Sequence, residues 1–192
     1  MTNAKTTSPT RMIIVAAPSG AGKSSFVEKL AAEDQRFHDV ITYTTRKMRA
    51  GEGQGKPYFF ISQDEFDQKK RDNFFIEWAQ VHSNFYGTSY EQIQKAWDSQ
   101  KIVIMDIDIQ GVATFKAKYP EAKTVFILPP SLDELRRRVI KRDGGAPADL
   151  ELRMRNAEKE MAKAHEFDVR IINDDFTRSF AEFKKIIESW LS

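Results

Sequence analysis

APSGAGKS, residues 17–24, is the stretch that decides the fold, and it comprises Ala17, Pro18, Ser19, Gly20, Ala21, Gly22, Lys23 and Ser24. An apolar run, MIIVA at residues 12–16, precedes it, and a segment with apolar residues at helical spacing follows it. A strand, a glycine-containing turn and a helix in this order are the setting of a phosphate-binding loop. Gly20 and Gly22 allow the backbone to curl until several N–H groups point inward, where the dipole of the following helix favours an anion. We therefore predict a phosphate-binding loop here.

The side chains at the end of this loop indicate a nucleoside triphosphate and a divalent metal. Lys23 brings a positive charge to the β and γ phosphates, Ser24 is placed to ligate Mg²⁺, and Ser25 completes the predicted ATP-binding segment. The usual pattern begins with glycine, whereas this one begins with Ala17. The simpler alternative is a glycine turn followed by a solvated Lys23, but the presence of strand, loop and helix in the required order argues against it. The loop does not identify the phosphoryl acceptor, because GTPases, ATPases and kinases of small molecules or nucleotides share it.

Short apolar runs alternate with segments of helical periodicity along the whole chain, which predicts an α/β fold with a parallel sheet covered by helices. Ser62, Ser89 and Ser131 each precede a Glu or Gln by three residues, the spacing of a helix-capping box. The last helix is expected over about residues 177–191. Strands are expected at residues 12–16, 102–107, 124–128 and 169–172, with a further one near residues 40–43.

Two segments interrupt the alternation of strands and helices. Residues 46–88 are rich in aromatic residues, basic residues and glycine, with strand-like pieces at 57–61 and 74–79, and we interpret them as an inserted lobe. Residues 143–148 (DGGAPA) form a link with glycine and proline between two arginine-bearing helices. Such a link would suit a hinged lid.

The composition is that of one globular domain with no cysteine chemistry. The 192 residues include 30 basic and 28 acidic ones, so the net charge of +2 gives no indication of a nucleic-acid partner. The absence of cysteine excludes disulfides and thiolate metal sites and fits a reducing compartment. Residues 1–10 are polar, which predicts a disordered tail without the apolar core of a secretory signal, and no stretch approaches the roughly 20 apolar residues of a membrane span. We expect a cytoplasmic protein without a membrane partner.

Arg46 and Arg49 stand three residues apart in a segment too rich in glycine and β-branched residues to be a helix, and Tyr58 follows shortly after them. Guanidinium groups bind phosphate oxygens in a bidentate way, and a phenol can donate a further hydrogen bond. The three side chains together could hold a monophosphate. Either arginine taken alone would be interpreted as a solvated surface charge.

Five motifs give this region a wider context: TTRKMRAGE at residues 44–52 with Tyr58 after it, FIEWA at 75–79, NFYGT at 84–88, DIDIQG at 106–111 and INDD at 172–175. In this order and at this spacing the sequence resembles the guanylate kinase family, its bacterial members especially, over residues 12–191. The resemblance implies a P-loop kinase fold for a domain at residues 11–192. Its core would comprise residues 11–41, 97–137 and 158–192, its GMP-binding lobe about 42–96 and its lid about 138–157.

The resemblance also implies roles for individual residues. It assigns Arg46, Arg49, Tyr58 and Tyr86 to the phosphate of GMP, and Thr42, Glu77 and Thr88 to its guanine ring. Asp106 and Asp108 would line the region of GMP and the metal, with Asp106 the stronger candidate because Asp108 has a second interpretation as a helix cap. Asn173 would border the adenine of ATP. The catalytic set would be Lys23, Arg46 and the lid arginines, which are Arg138, Arg142 and Arg153.

The function implied by the resemblance is Mg²⁺-dependent transfer of the γ-phosphoryl group of ATP to GMP, giving ADP and GDP, in purine nucleotide metabolism. Use of dGMP and self-association are left open. Two alternatives are a protein-binding module of guanylate-kinase-like fold and a P-loop kinase of another phosphorylated small molecule. Asp143 and Gly144 depart from the arginine-glycine pair usual in relatives, so the lid hinge is expected to shift by one residue. We also expect the like charges of the lid and the GMP lobe to repel.

Overall fold

The computed structural model describes residues 12–81 and 83–191, so the predicted tail at residues 1–10 lies outside the described residues. The strands are β1 (Met12–Ala16), β2 (Phe37–Asp39), β3 (Tyr43–Thr44), β4 (Gly53–Gln54), β5 (Pro57–Phe60), β6 (Phe75–Val81), β7 (Asn84–Ser89), β8 (Ile102–Asp106), β9 (Lys123–Leu128) and β10 (Val169–Ile172). The helices are α1 (Lys23–Glu33), α2 (Gln63–Arg71), α3 (Tyr90–Asp98), α4 (Ile109–Lys118), α5 (Leu132–Arg142), α6 (Leu150–Ala162) and α7 (Phe176–Leu191).

A parallel sheet with helices on both faces forms the body of the molecule, which confirms the α/β prediction. Its strand order is β10-β9-β1-β8-β2. Every residue of β1 is buried, and successive side chains enter opposite cores: Ile13 and Val15 pack on one side, Met12 and Ile14 on the other. Burial on both faces explains why these strands appear in the sequence as continuous apolar runs.

Helices α2, α3 and α5 each begin directly after a predicted capping serine. Ser62 and Glu65 form the full reciprocal capping box of α2, while Ser89 and Ser131 each accept a hydrogen bond from the backbone N–H three residues further on. The apolar stripe of α7 is buried against α1, where the rings of Phe183 and Phe26 meet edge to face. None of the described helices has the length and apolar character needed to cross a bilayer.

A second sheet, which we call the small sheet, is formed by strands β3 to β7 in the order β4-β5-β3-β7-β6 and corresponds to the predicted insertion. The predicted strand near residues 40–43 is wrong. Val40 donates its backbone N–H to the carbonyl of Ile104 in the large sheet, and by Tyr43 the chain has joined the small sheet. The residues between Val40 and Tyr43 carry the chain from one sheet to the other, and their side-chain pattern resembles that of a single strand.

The predicted link between two arginine-bearing helices is confirmed. Helix α5 ends at Arg142, residues 143–149 form the link, and α6 begins at Leu150 and packs back against α5. Gly144 has a φ of 71° and Gly145 a φ of 158°, conformations that glycine adopts without the strain of a side chain.

Candidate active site

A cavity of about 350 Å³ opens where the phosphate loop, the carboxyl end of β8, the small sheet and helix α6 meet. This is the edge of a parallel sheet at which ligands of α/β proteins bind. Its walls contain most of the predicted site residues. They are Ala17, Ser19, Gly20, Gly22, Lys23, Ser24, Ser25, Thr42, Arg46, Arg49, Tyr58, Glu77, Tyr86, Asp106, Asp108, Arg142 and Arg153.

The phosphate loop has the predicted backbone. Gly20 and Gly22 have φ angles of 99° and 100°, so the chain turns sharply before α1 begins at Lys23. Gly20 also needs the absence of a side chain, because a Cβ there would lie 2.9 Å from a methyl carbon of Val139. The first turn of α1 thereby directs its free N–H groups toward the cavity.

Asp106, the last residue of β8, contacts the side chains of both Lys23 and Ser24. Ser24 Oγ donates a hydrogen bond of 2.7 Å to Asp106 Oδ2, and Lys23 Nζ lies 3.5 Å from the same oxygen. Burial by itself lowers the pKa of Lys23, but Tyr58, Asp106, Tyr86 and Asp108 outweigh it and raise the pKa above its ordinary value. Lys23 is therefore a permanent cation facing the cavity.

The oxygen atoms of Ser24 and Asp106 are suitable ligands for Mg²⁺. This ion prefers hydroxyl, carboxylate and phosphate oxygens and takes few ligands from the protein itself. The described residues contain no cluster of three or more His, Cys, Asp or Glu side chains suited to a metal. A metal at this cavity would thus be held by one hydroxyl and one carboxylate together with substrate oxygens, and the donor set fits that arrangement.

Glu52 holds Arg46 in place on the opposite wall. Its carboxylate accepts hydrogen bonds of 3.0 and 2.8 Å from the two terminal nitrogens of the Arg46 guanidinium. The guanidinium carbon lies 5.4 Å from the ring centre of Tyr58, and the Tyr58 ring meets that of Tyr86 at 5.7 Å. Burial raises the pKa of Tyr58, so its phenol stays protonated and able to donate. An arginine and two phenols thus share one wall, as an anion-binding site requires.

Arg49 also lines the cavity, and it reaches the link between α5 and α6, where an ion pair accompanies the like charges that we expected to repel. Its Nη2 lies 3.4 Å from Asp143 Oδ1, and the same carboxylate meets Arg142 and Arg153. The Asp143 carboxylate thus offsets part of the repulsion between these arginines. Helix α5 ends at Arg142, immediately before Asp143.

Glu77 and Thr88 form a buried polar pair across strands β6 and β7. Thr88 Oγ1 donates a hydrogen bond of 2.8 Å to Glu77 Oε1, and Glu77 is only 7% exposed. Burial raises the pKa of Glu77 to about 7 in spite of that hydrogen bond. Thr42 also lines the cavity, with a buried Oγ1 that has no hydrogen-bond partner among residues 12–81 and 83–191. A carboxylate oxygen and a hydroxyl are thus left for a ligand to satisfy.

Asp108 caps a helix and also lies at the cavity. It is the N-cap of α4, where its Oδ1 accepts hydrogen bonds from the backbone N–H groups of Gln110 and Gly111. Its side chain also lines the cavity. Asp106 carries the contacts to Lys23 and Ser24, in agreement with the preference for it as the stronger candidate.

Some predicted residues lie behind the cavity wall. Arg138 donates to the carbonyl of Asn173 at 2.9 Å, and the amide of Asn173 donates to the carbonyl of Ala21 at 2.9 Å. These two side chains brace the phosphate loop from its outer side. The remaining predicted residues outside the lining are Pro18, Ala21 and Thr88, which support the loop and Glu77.

Sequence reasoning missed several side chains of the site. Glu52 and Asp143 each hold predicted arginines, and the only signal for them was an opposite charge close by in the chain. Asn156 and Glu160 line the cavity from α6, one and two turns beyond Arg153. Burial raises the pKa of Glu160 to about 7, with Lys23 opposing the rise. Helical spacing from Arg153 could have indicated that this face of α6 turns toward the site.

The fold and the site together define a P-loop phosphotransferase: a phosphate loop, a lysine at the first turn of its helix, and arginines from three further elements around one cavity. Comparison with known proteins identifies the family. The family model described as guanylate kinase matches residues 9–190. The chain belongs to the guanylate kinase family and is an ATP:GMP phosphotransferase.

Individual relatives agree with this assignment. A guanylate kinase of Bdellovibrio bacteriovorus is 62% identical over 95% of this chain and 99% of the relative. One of a Polaromonas species is 44% identical over 94% of this chain and 88% of its own length. Among solved structures, guanylate kinase from Anaplasma phagocytophilum superposes with a TM-score of 0.74 at 27% identity, covering 93% of this chain and 84% of that one.

Proposed function

We propose that this chain performs its phosphoryl transfer by binding ATP along the phosphate loop and GMP against the small sheet, with the lid closing over both. In this proposal about residues 42–96 form the GMP-binding lobe and about residues 138–157 form the lid. The observation that carries it is one continuous cavity whose lining includes both Lys23 and Glu77. Cytoplasmic purine nucleotide metabolism, with ATP and GMP as its small-molecule partners, is the setting we propose.

Guanine is recognised in this proposal by Glu77, Thr88 and Thr42. The N1–H and N2 amino groups of guanine are adjacent donors that one carboxylate can accept with two oxygens. The hydrogen bond from Thr88 Oγ1 uses one acceptor position of Glu77 Oε1 and fixes the plane of the carboxylate. The unpartnered hydroxyl of Thr42 supplies a further polar contact. Adenine has no amino group at C2 and no N1–H, so AMP would leave the buried carboxylate unpaired.

The phosphate of GMP is held by the anion-binding wall, with Arg46, Arg49, Tyr58 and Tyr86 as its ligands. Glu52 keeps the guanidinium of Arg46 in one orientation, so less side-chain freedom is lost when the phosphate binds. This holds the acceptor oxygen in line with the γ-phosphorus of ATP. Alignment of this kind supplies much of the rate enhancement in phosphoryl transfer.

Transfer is direct and needs no nucleophilic side chain of the protein. Lys23, Arg142 and Arg153 face the cavity and neutralise charge that spreads over the equatorial oxygens in the transition state. Ser24 and Asp106 would hold the Mg²⁺ of MgATP, which supplies further neutralisation of phosphate charge when bound. The role predicted for Asn173 at adenine and that of Arg138 stay predictions, since both side chains brace the loop from outside the cavity. Lid closure excludes water, which would otherwise accept the phosphoryl group.

The test is a coupled assay of ADP release with GMP, dGMP, IMP, AMP and a set of sugar phosphates as acceptors. We expect kcat/KM for GMP to exceed that for AMP by a factor on the order of 10⁴, because Glu77 accepts hydrogen bonds from guanine groups that adenine lacks. A preference for a sugar phosphate would contradict the proposed acceptor site. Binding of a protein ligand without any ADP release would favour the protein-binding module, which the intact Gly22, Lys23 and Ser24 oppose.

A further inference from the structure

A single carboxylate, that of Asp143, joins three arginines from separate parts of the chain. Arg142 Nε donates to Oδ1 at 2.8 Å and its Nη2 to Oδ2 at 3.3 Å. Arg153 Nη1 donates to Oδ2 at 3.1 Å, and Arg49 Nη2 lies 3.4 Å from Oδ1. These arginines belong to the end of α5, to α6 and to the segment between β3 and β4, so the contacts link the lid to the small sheet.

The position of Asp143 relative to the cavity separates it from the ligand-binding groups. The three arginines line the cavity, whereas Asp143 is not among the lining residues. Its side chain is only 13% exposed. The carboxylate therefore contacts the guanidinium groups without belonging to the lining of the cavity itself. A charge in this place holds the donors in position without taking the place of the substrate.

The electrostatics of the cluster require such a counter-charge. Burial, followed by the charges of Arg142 and Arg46, lowers the pKa of Arg49, while Asp143 and Glu52 act in the opposite direction. Without the carboxylate, three partly buried cations would face one another across the lid and the small sheet, and they would separate. Asp143 stands where the family pattern led us to expect an arginine-glycine pair.

We propose that Asp143 is a positioning residue that assembles Arg49, Arg142 and Arg153 at the cavity wall and ties the lid to the small sheet. It acts through the arginines and touches neither substrate. The inference rests on the proposed roles of these arginines in phosphoryl transfer. Its consequence is that the arginine cluster is oriented before the transferring phosphoryl group reaches it, so part of the cost of closure is removed from the chemical step.

The kinetic test compares Asp143→Asn with the wild type. Asparagine keeps the size of the side chain but removes the charge that holds three guanidinium groups. We expect kcat to fall by a factor on the order of ten to a hundred, while the dissociation constant of GMP measured by calorimetry rises by a smaller factor, because Arg49 alone of the three arginines is a proposed ligand of the GMP phosphate. Asp133→Asn, which alters an exposed carboxylate in the first turn of α5, should change neither quantity. In an Arg153→Ala background, Asp143→Asn should have a smaller effect on kcat, because one of the arginines that Asp143 positions is gone.

A second measurement follows the lid itself. The chain contains no cysteine, so Met48→Cys and Ala146→Cys introduce one labelling site beside Arg49 and one in the link between α5 and α6. Pulsed electron paramagnetic resonance measures the distance between spin labels at these two sites. We expect Asp143→Asn to make the distribution of that distance longer and broader. A wild-type kcat in Asp143→Asn, or a raised one, would overturn the inference, and so would an unchanged distance distribution. Failure of the wild type to phosphorylate GMP would instead overturn the proposed function.

Discussion

Glu77 allows the sharpest prediction, because the same buried carboxylate should lower stability and confer base choice. Its pKa rises from 4.5 to about 7 on folding, with burial as the main cause. The folded state therefore binds a proton more tightly than the unfolded state, and the free energy of unfolding falls as pH rises from about 4.5 to about 7. The rise in pKa corresponds to about 3 kcal/mol of stability lost once both states are ionised.

Glu77→Gln removes this ionisation while keeping an oxygen for the Thr88 hydroxyl. We expect the variant to be more stable than the wild type at pH 8 by up to about 3 kcal/mol, and by about 1 kcal/mol at pH 5. Urea unfolding without nucleotides at pH 5, 6, 7 and 8 measures the difference, and all other titrating groups cancel in the comparison. Glu91→Gln, an exposed glutamate on α3, is the matched control and should show no such trend. A difference that is constant with pH would refute the reasoning.

The kinetic side of the same prediction follows from the ionised form. With a pKa of about 7, the anion falls from roughly nine-tenths at pH 8 to one-tenth at pH 6, so kcat/KM for GMP should fall about tenfold from this group. The ratio of wild type to Glu77→Gln isolates that contribution, because the titration of the GMP phosphate is common to both. Glu77→Gln should also lower kcat/KM for GMP and narrow the gap between GMP and IMP. Unchanged ratios among GMP, IMP and AMP would remove Glu77 from the guanine site.

Three further substitutions test other parts of the cavity. Lys23→Met should abolish phosphoryl transfer and leave the calorimetric affinity for GMP within about threefold, because Lys23 serves the phosphates of ATP; substantial activity in a folded variant would count against that role. Arg153→Ala should lower kcat on the order of a hundredfold with little change in the KM for GMP, and an effect limited to KM would reassign it to ground-state binding. Gly111→Ala would place a Cβ 2.9 Å from Glu77 Oε2. We expect it to raise the KM for GMP roughly tenfold with no change for ATP, since the carboxylate must move away from its position for guanine; equal effects on both substrates would point to a general loss of structure.

Sequence reasoning succeeded where the information is local. The phosphate loop, the buried strand at residues 12–16 and the caps at Ser62, Ser89 and Ser131 all lie within a few consecutive residues, and each was confirmed. The same local reasoning failed at residues 40–43. There the apolar run crosses from one sheet to another, and a pattern of side chains does not tell which sheet a backbone pairs with.

The sequence by itself determined the class of fold, the phosphate loop and, through its resemblance to a family, most of the residues that line the cavity. Only the tertiary structure decided how those residues are paired. The contact of Ser24 with Asp106 spans 82 positions of the chain, and that of Arg49 with Asp143 joins the segment between β3 and β4 to the link between α5 and α6. Periodicity and glycine placement act through a residue's immediate neighbours, whereas such pairs depend on which faces of distant elements meet when the core packs. The burial and the pKa values of the cavity side chains follow from that packing, so only the tertiary structure reveals them.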